Sequence, residues 1–271
     1  MPELPEVETV ARQLAVSIAK RRIHSIETID PKLKRSNLSR LAKFQVRSVI
    51  RMGKQVIISC RANSKTLFLA VHLRMTGRLV WCPKSKHLPE AEHKHIRVRL
   101  AMSGGELCFV DPRRFGTMQI SALQDTFAPK GAEPLVPDFT AKKLSSLLRG
   151  SSQNIKVWLL RQDRIVGIGN IYASEILFDC GISPKRKANR IKESEIPMLH
   201  RSIQKILRRA IENNGTTFSD FQDAYGFTGS NQNYLKVYER GGKPCRRCRT
   251  QIVRKIVQGQ RSTYYCESCQ I

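Results

Sequence analysis

The chain has 271 residues, with 48 Lys and Arg against 22 Asp and Glu, giving a formal charge of +26 at pH 7. At 41% hydrophobic and 26% charged residues, it is composed like a folded protein with a core, not a disordered basic tail. Such a charge calls for a polyanionic partner, nucleic acid before an acidic membrane surface, and no apolar run approaches the ~20 residues of a spanning helix.

The N-terminus, MPELPEVETV, carries acids where a signal or transit peptide would carry bases. The expected location is therefore a reducing cytoplasm or nucleoid, where eight cysteines argue against a disulfide framework. From Pro5 to Ala19 the apolar residues Val7, Val10, Ala11, Leu14, Ala15 and Ile18 follow the spacing of one helical face. Between about Ile23 and Leu123 the pattern changes to short β-type runs, at 55–60, 66–72, 95–100 and 106–110, punctuated by Gly and Pro. That texture predicts a sandwich or barrel. A Pro- and Gly-bearing stretch at 128–137 reads as connector. Helical patterns follow at Ser152–Leu160, at Asn170–Cys180 with Gly181 as its cap, and from Ser194 onward. The predicted class is α+β with several domains: an N-terminal domain over 1–128, a connector over 129–150, a helical domain over 151–235 and a small basic module over 236–271.

The last module carries Cys245-Arg-Arg-Cys248 and Cys266-Glu-Ser-Cys269, a C-x2-C-x17-C-x2-C pattern. Each CxxC turn converges two thiolates on one ion, and the spacer is long enough for a hairpin that joins the pairs. Four thiolates complete tetrahedral zinc and leave no open position, so the expected cofactor is one structural Zn²⁺. Paired redox motifs are the competing reading. Cys60, Cys82, Cys108 and Cys180 are scattered and read as small buried apolar residues. The module holds nine Lys and Arg against two acids and is too small to fold without metal. Its hairpin tip at 258–262 presents Arg261.

The other end is the less ordinary one. Removal of Met1 before Pro2 would expose a secondary amine, and an α-amino group with pKa about 8 is roughly one-tenth neutral at pH 7. At the head of a helix the positive dipole end disfavours its protonated form further. Such an amine attacks an aldehydic carbon to give an iminium, which acidifies the neighbouring carbon. Glu3 would lie beside the reacting centre as general acid or base, and Glu6, one turn on, supports the site or satisfies the helix N-terminus. An acidic first turn that merely stabilises a helix explains the same residues.

The sequence MPELPEVETV resembles the N-terminus of bacterial formamidopyrimidine-DNA glycosylases, and the similarity runs along nearly the whole chain. Arg51-Met-Gly-Lys54, His72-Leu-Arg-Met-Thr-Gly77, Asp111-Pro-Arg-Arg-Phe-Gly116 and Gly167-Ile-Gly-Asn-Ile-Tyr-Ala-Ser-Glu175 look like that family's motifs in its order, and the four-Cys module with Arg261 closes both. The resemblance implies a bifunctional DNA glycosylase/AP lyase, with an N-terminal β-sandwich, a helix-two-turn-helix domain, a zinc-finger hairpin, and DNA across the cleft between the halves. Pro2 would attack C1′ of a damaged nucleoside, expel an oxidised purine (8-oxoguanine or a formamidopyrimidine), and support β and δ eliminations. Glu3 maps onto the proton donor at the sugar, Lys54 onto a lysine near lesion and phosphate, and Arg261 onto an arginine linked to elimination.

The reaction needs an extruded nucleotide, and Met75, Arg113 and Phe115 match the family's void-filling positions. On pattern alone Met75 and Phe115 read as core residues and Lys54 as a surface lysine in a turn. His93 matches a DNA-contacting position, and Asn170 sits where a helix N-terminus could hold phosphate. Gly167-x-Gly169 is followed by Tyr172 where a dinucleotide fingerprint needs its third glycine, so no nicotinamide site is expected. Where the family often has a lysine cluster, this chain has Ser151 and Ser152, leaving Arg149 and Lys156 as the nearby DNA-binding residues. The segment 213–233, corresponding to a lesion-covering loop, matches poorly. The expected partner is double-stranded DNA containing oxidised bases, bound by a monomer with no membrane association. A relative preferring oxidised pyrimidines or abasic sites, and a non-enzymatic zinc-ribbon nucleic-acid-binding protein, are the alternatives.

Overall fold

A computed structural model describes residues 1–218 and 221–271. Two compact units are present, Met1–Ala128 with Asn213–Gln232, and Pro129–Glu212 with Asn233–Ile271. Among the described residues no helix is long and apolar enough to cross a membrane.

The first unit begins with helix α1 (Leu4–Ile18), whose buried Val7, Val10, Ala11, Leu14 and Ile18 are the stripe expected from spacing. Strand β1 (Ile23–Thr28) and the short helix α2 (Pro31–Lys34) lead into β2 (Gln45–Met52), β3 (Gln55–Ala62), β4 (Lys65–His72) and β5 (Arg78–Pro83). After the one-turn helix α3 (Glu90–His93) come β6 (Ile96–Met102), β7 (Gly105–Val110) and β8 (Thr117–Ser121). Two antiparallel four-stranded sheets result, ordered β1-β6-β7-β5 and β2-β3-β4-β8. Their inner faces share one core. Val46, Val56, Ile58, Leu69 and Val71 of one sheet cluster with Leu79, Val98, Leu100, Leu107 and Phe109 of the other, and Val7 and Leu14 of α1 join them. Each such side chain removed from water contributes about 1.5–3 kcal/mol, so the sandwich is held chiefly by this seam.

Residues 213–232 fold on this unit and not with the helical domain, where the expected boundary at 235 placed them. The Trp81 N–H donates to the Ala224 carbonyl at 2.9 Å, so the segment extends the hydrogen bonding of β5. No apolar periodicity signals that docking.

The second unit starts inside the expected connector. Thr140 caps helix α4 (Ala141–Leu148), its hydroxyl accepting from the Lys143 N–H at 3.2 Å, and Leu144 and Leu148 are buried. Two turns of helix left too short a periodic run to be distinguished from the surrounding Pro and Gly. Helix α5 (Ile155–Leu159) is shorter than expected, because Asn154 is tied to Lys187 in an isolated bridge before the helix begins. Helix α6 (Asn170–Asp179) ends as expected, with Gly181 at φ +72. Helix α7 (Ile196–Glu212) starts two residues later than Ser194, with Pro197 in its first turn, where the missing N–H costs nothing. The last strands, β9 (Arg254–Gln258) and β10 (Arg261–Tyr265), pair through a two-residue turn with Gly259 and Gln260 at φ +55 and +59. The hairpin module packs Val237, Val253 and Tyr264 against Phe178 of α6.

Candidate catalytic terminus and metal centre

Pro2 is buried and Glu3 is only 3% exposed, although Met1 before them is 47% exposed. Glu3 is the N-cap of α1, in a reciprocal capping box with Glu6. Its N–H donates to Glu6 Oε2 at 2.8 Å, while Glu6 Oε1 accepts from the Thr216 N–H at 2.7 Å. Capping alone thus accounts for part of the acidic first turn, and it fixes Glu3 immediately beside Pro2. The tie to Thr216, 210 residues away in the chain, has no local sequence signal.

Lys54 is 8% exposed in the β2–β3 turn, so the pattern-based expectation of a surface lysine is corrected. Gly53 takes φ +57 and its carbonyl accepts from Arg51 Nη1 at 2.9 Å, while Arg51 Nε pairs with Glu8 at 2.9 Å. That clasp holds the turn against α1. The neighbouring His72 is pushed down to about 4 by burial, by Arg74 and by Lys54. It is neutral at pH 7, and its Nδ1 accepts from the Arg74 N–H at 3.1 Å.

Met75 and Phe115 are 43% and 48% exposed, which corrects the expectation that they are core. Two loops carry them, and the buried Asp111 joins the loops. Thr76 Oγ1 donates to Asp111 Oδ1, the Gly116 N–H donates to Asp111 Oδ2 at 2.7 Å, and the Arg113 N–H reaches Thr76 Oγ1 at 3.4 Å. Arg74 and Arg114 sit at φ +56 and +58, a left-handed conformation that side-chain-bearing residues adopt at some cost. The exposed Arg113 guanidinium lies 4.8 Å from the Phe115 ring centre. Arg114 makes a bidentate pair with the buried Asp30, at 2.6 and 2.9 Å, and holds that carboxyl down to about 2. Asp111, Thr76 and Asp30 were missed from the sequence. Asp111 was the most findable, as an aspartate heading a Pro-containing turn. His93 is exposed on α3, with Nε2 3.1 Å from the Leu88 carbonyl.

In the second unit Lys156, Asn170 and the hairpin of Arg261 come together. The Lys156 ammonium is fully buried and donates to Asn170 Oδ1 at 2.6 Å, and Asn170 Nδ2 donates to the Ser262 carbonyl at 2.9 Å. Lys156 was expected as a DNA contact, yet its side chain points inward here and braces the residue next to Arg261. The Arg261 side chain is exposed. Arg149 is exposed too and pairs with Glu193 at 3.2 Å.

The Sγ atoms of Cys245, Cys248, Cys266 and Cys269 lie within 4.8 Å of one another, with 3.9 Å between Cys245 and Cys269 and 3.7 Å between Cys248 and Cys266. A zinc tetrahedron with 2.3 Å bonds has edges of about 3.8 Å, so the thiols fit one ion and are far too distant for disulfides. The Arg247 N–H points at Cys245 Sγ from 3.4 Å, as a thiolate ligand's neighbour does. Of the scattered cysteines, Cys60, Cys82 and Cys108 are buried as expected and Cys180 is only half-buried; burial pushes Cys60 and Cys180 up to about 12.

Profiles of the formamidopyrimidine-DNA glycosylase N-terminal domain, of the H2TH domain of the same enzymes, and of the zinc finger found in FPG and IleRS match residues 1–118, 130–222 and 242–271. The formamidopyrimidine-DNA glycosylase of Pelotomaculum thermopropionicum is 43% identical over 280 residues, spanning 100% of this chain and 99% of that one. This chain belongs to the formamidopyrimidine-DNA glycosylase family. The Desulfitobacterium hafniense enzyme is 40% identical over all of both chains. Two solved structures of Lactococcus lactis Fpg, one with abasic-site DNA and one a G226P mutant with Fapy-dG DNA, superpose with TM-scores of 0.88 and 0.87 at 34% identity, over 99% of each chain. The β-sandwich, the helical H2TH region and the four-cysteine hairpin are thus family features, and the cysteines are the site of one structural zinc ion.

Proposed function

We infer that the chain is a bifunctional DNA glycosylase/AP lyase of base excision repair, acting on oxidised purines in duplex DNA. The observation that carries the reading is the buried Pro2–Glu3 pair at the head of α1, in a chain that the family covers from end to end. Removal of Met1 frees the Pro2 amine. Its lone pair forms the bond to C1′ while the glycosidic pair leaves with the base. Glu3 delivers a proton to the deoxyribose ring oxygen, the ring opens, and an iminium remains. Loss of a C2′ proton expels the 3′ phosphate, and a second elimination expels the 5′ phosphate. Zinc enters none of these steps; when bound it fixes the hairpin that carries Arg261.

Lys54 supplies a positive charge near the lesion and its phosphate. Met75, Arg113 and Phe115 fill the gap left by the extruded nucleotide, and their exposure on Asp111-braced loops supports that role. His93 and Arg149 contact DNA. Asn170 and Lys156 act by setting the Arg261 hairpin. The +26 charge supports a duplex as the partner and a nucleoid-associated location in a bacterial cytoplasm. A non-enzymatic zinc ribbon would leave residues 1–118, matched to a glycosylase domain, without a role. Activity on oxidised pyrimidines stays as a second reading, because a Lactococcus lactis Fpg structure with DNA containing one matches this fold.

Borohydride trapping tests the proposal. Tag-free protein mixed with duplex 8-oxoguanine opposite cytosine should give a covalent adduct, and N-terminally extended protein should give none. An adduct undiminished by the extension would remove the amine mechanism.

A further inference from the structure

On the proposed function, the excision step holds a base beside Pro2 and the lyase step at an abasic site does not. Whatever walls the base therefore matters to the first step alone. Residues 213–232 begin against the catalytic terminus, since one Glu6 carboxylate accepts from both the Glu3 and Thr216 N–H groups. Gly215, at φ +80, is closely packed there: a Cβ would lie 3.0 Å from Glu6 Oε1, so the carboxylate would have to shift.

The far part of the segment is held by the same helix. Gln13 Nε2 donates to Asp223 Oδ2 at 2.8 Å, and Gln13 Oε1 accepts from the Ala224 N–H at 2.9 Å. Ser17 Oγ lies 2.9 Å from the Tyr225 hydroxyl. Positions 6, 13 and 17 are seven and four residues apart, so they share one face of α1. What Gln13 grips is already rigid, because Asp223 Oδ1 accepts from the Tyr225 and Phe227 N–H groups, both at 2.9 Å. Gln13 sits ten residues beyond Glu3, about 15 Å along a stiff helix. The helix that presents Pro2 and Glu3 thus also sets where Thr216 and residues 223–225 stand.

We propose that Gln13 is a positioning residue for base excision: its amide orients residues 221–227 against α1 and takes no part in the chemistry. This rests on the glycosylase reading above. An amide is required because one partner is an acceptor and the other a donor.

Single-turnover excision of 8-oxoguanine and strand cleavage at a preformed abasic site, measured on the full chain, separate the outcomes. Gln13→Ala should slow excision about 10-fold or more while leaving abasic cleavage within about 2-fold. Gln13→Glu should be worse, because two carboxylates then face each other. Adding Asp223→Asn to Gln13→Glu swaps donor and acceptor and should restore excision. The inference fails if Gln13→Ala excises at the parental rate, if both activities fall together, or if the double variant stays as slow as Gln13→Glu. Absence of abasic cleavage by the unsubstituted protein would instead defeat the glycosylase/lyase reading, and this inference with it.

Discussion

The proposed mechanism gives Glu3 two jobs that one substitution separates. As N-cap it accepts the Glu6 N–H; as the proposed proton donor it needs an ionisable oxygen beside Pro2. Glu3→Gln keeps an acceptor for the cap, so stability should change by less than about 1 kcal/mol. Excision should fall by about 100-fold or more, because a general acid is lost. Comparing denaturation with single-turnover excision checks this, and a variant that excises normally would assign Glu3 to capping alone. At this scale the sequence was legible where chemistry sits in one short stretch, as at Pro2-Glu3 and the paired CxxC motifs. It misled where burial depends on distant strands. Lys54 looks like any turn lysine, yet it is buried, in a turn that Arg51 ties to Glu8 of α1. Met75 and Phe115 look like core residues, yet Arg74 and Arg114, in left-handed conformations, precede them in exposed loops.

Among the elements, the loop bearing Arg113 and Phe115 is secured by Asp30 as well as by Asp111. Asp30 is buried and its carboxyl is held down to about 2, first through its hydrogen bond with Arg114. A folded-state value below the unfolded one means the stabilisation is complete above pH 4 and is lost as pH falls through about 2. Because Arg114 is 41% exposed, solvent screens the pair, and its contribution at neutral pH is about 1–2 kcal/mol. Asp30→Asn should lower stability by that amount at pH 7 and by progressively less toward pH 2, as urea titrations at several pH values would show. A destabilisation independent of pH would contradict the ion-pair account. Helix α1 and strand β6 were readable because their period-3.6 and period-2 burial patterns repeat over enough residues, and β3 and β4 because they are apolar runs bounded by turns. Helix α4 was not, being two turns long, and neither was the docking of 213–232, which uses side-chain amides and carboxylates together with Phe221 and Ala224 in the sandwich core, residues that form no periodic run.

At the scale of the whole molecule, composition and the two termini carried most of what was legible. The zinc module has few apolar residues of its own beyond those packed on Phe178, so its order depends on the ion. Chelation should unfold residues 242–271, expose four reactive thiols and abolish binding to lesion-containing duplex. Thiol titration alongside fluorescence anisotropy reads both, and zinc-free protein that binds normally would contradict the structural-zinc account. At the other end of the chain, the proposed covalent handle on the sugar is the amine of residue 2. Peptide mapping of the borohydride-reduced adduct with 8-oxoguanine DNA tests it most directly. The deoxyribose remnant should be found on the peptide that begins at Pro2, with Met1 absent; a remnant carried by Lys54 or any other lysine, or an adduct whose N-terminal peptide retains Met1, would contradict it.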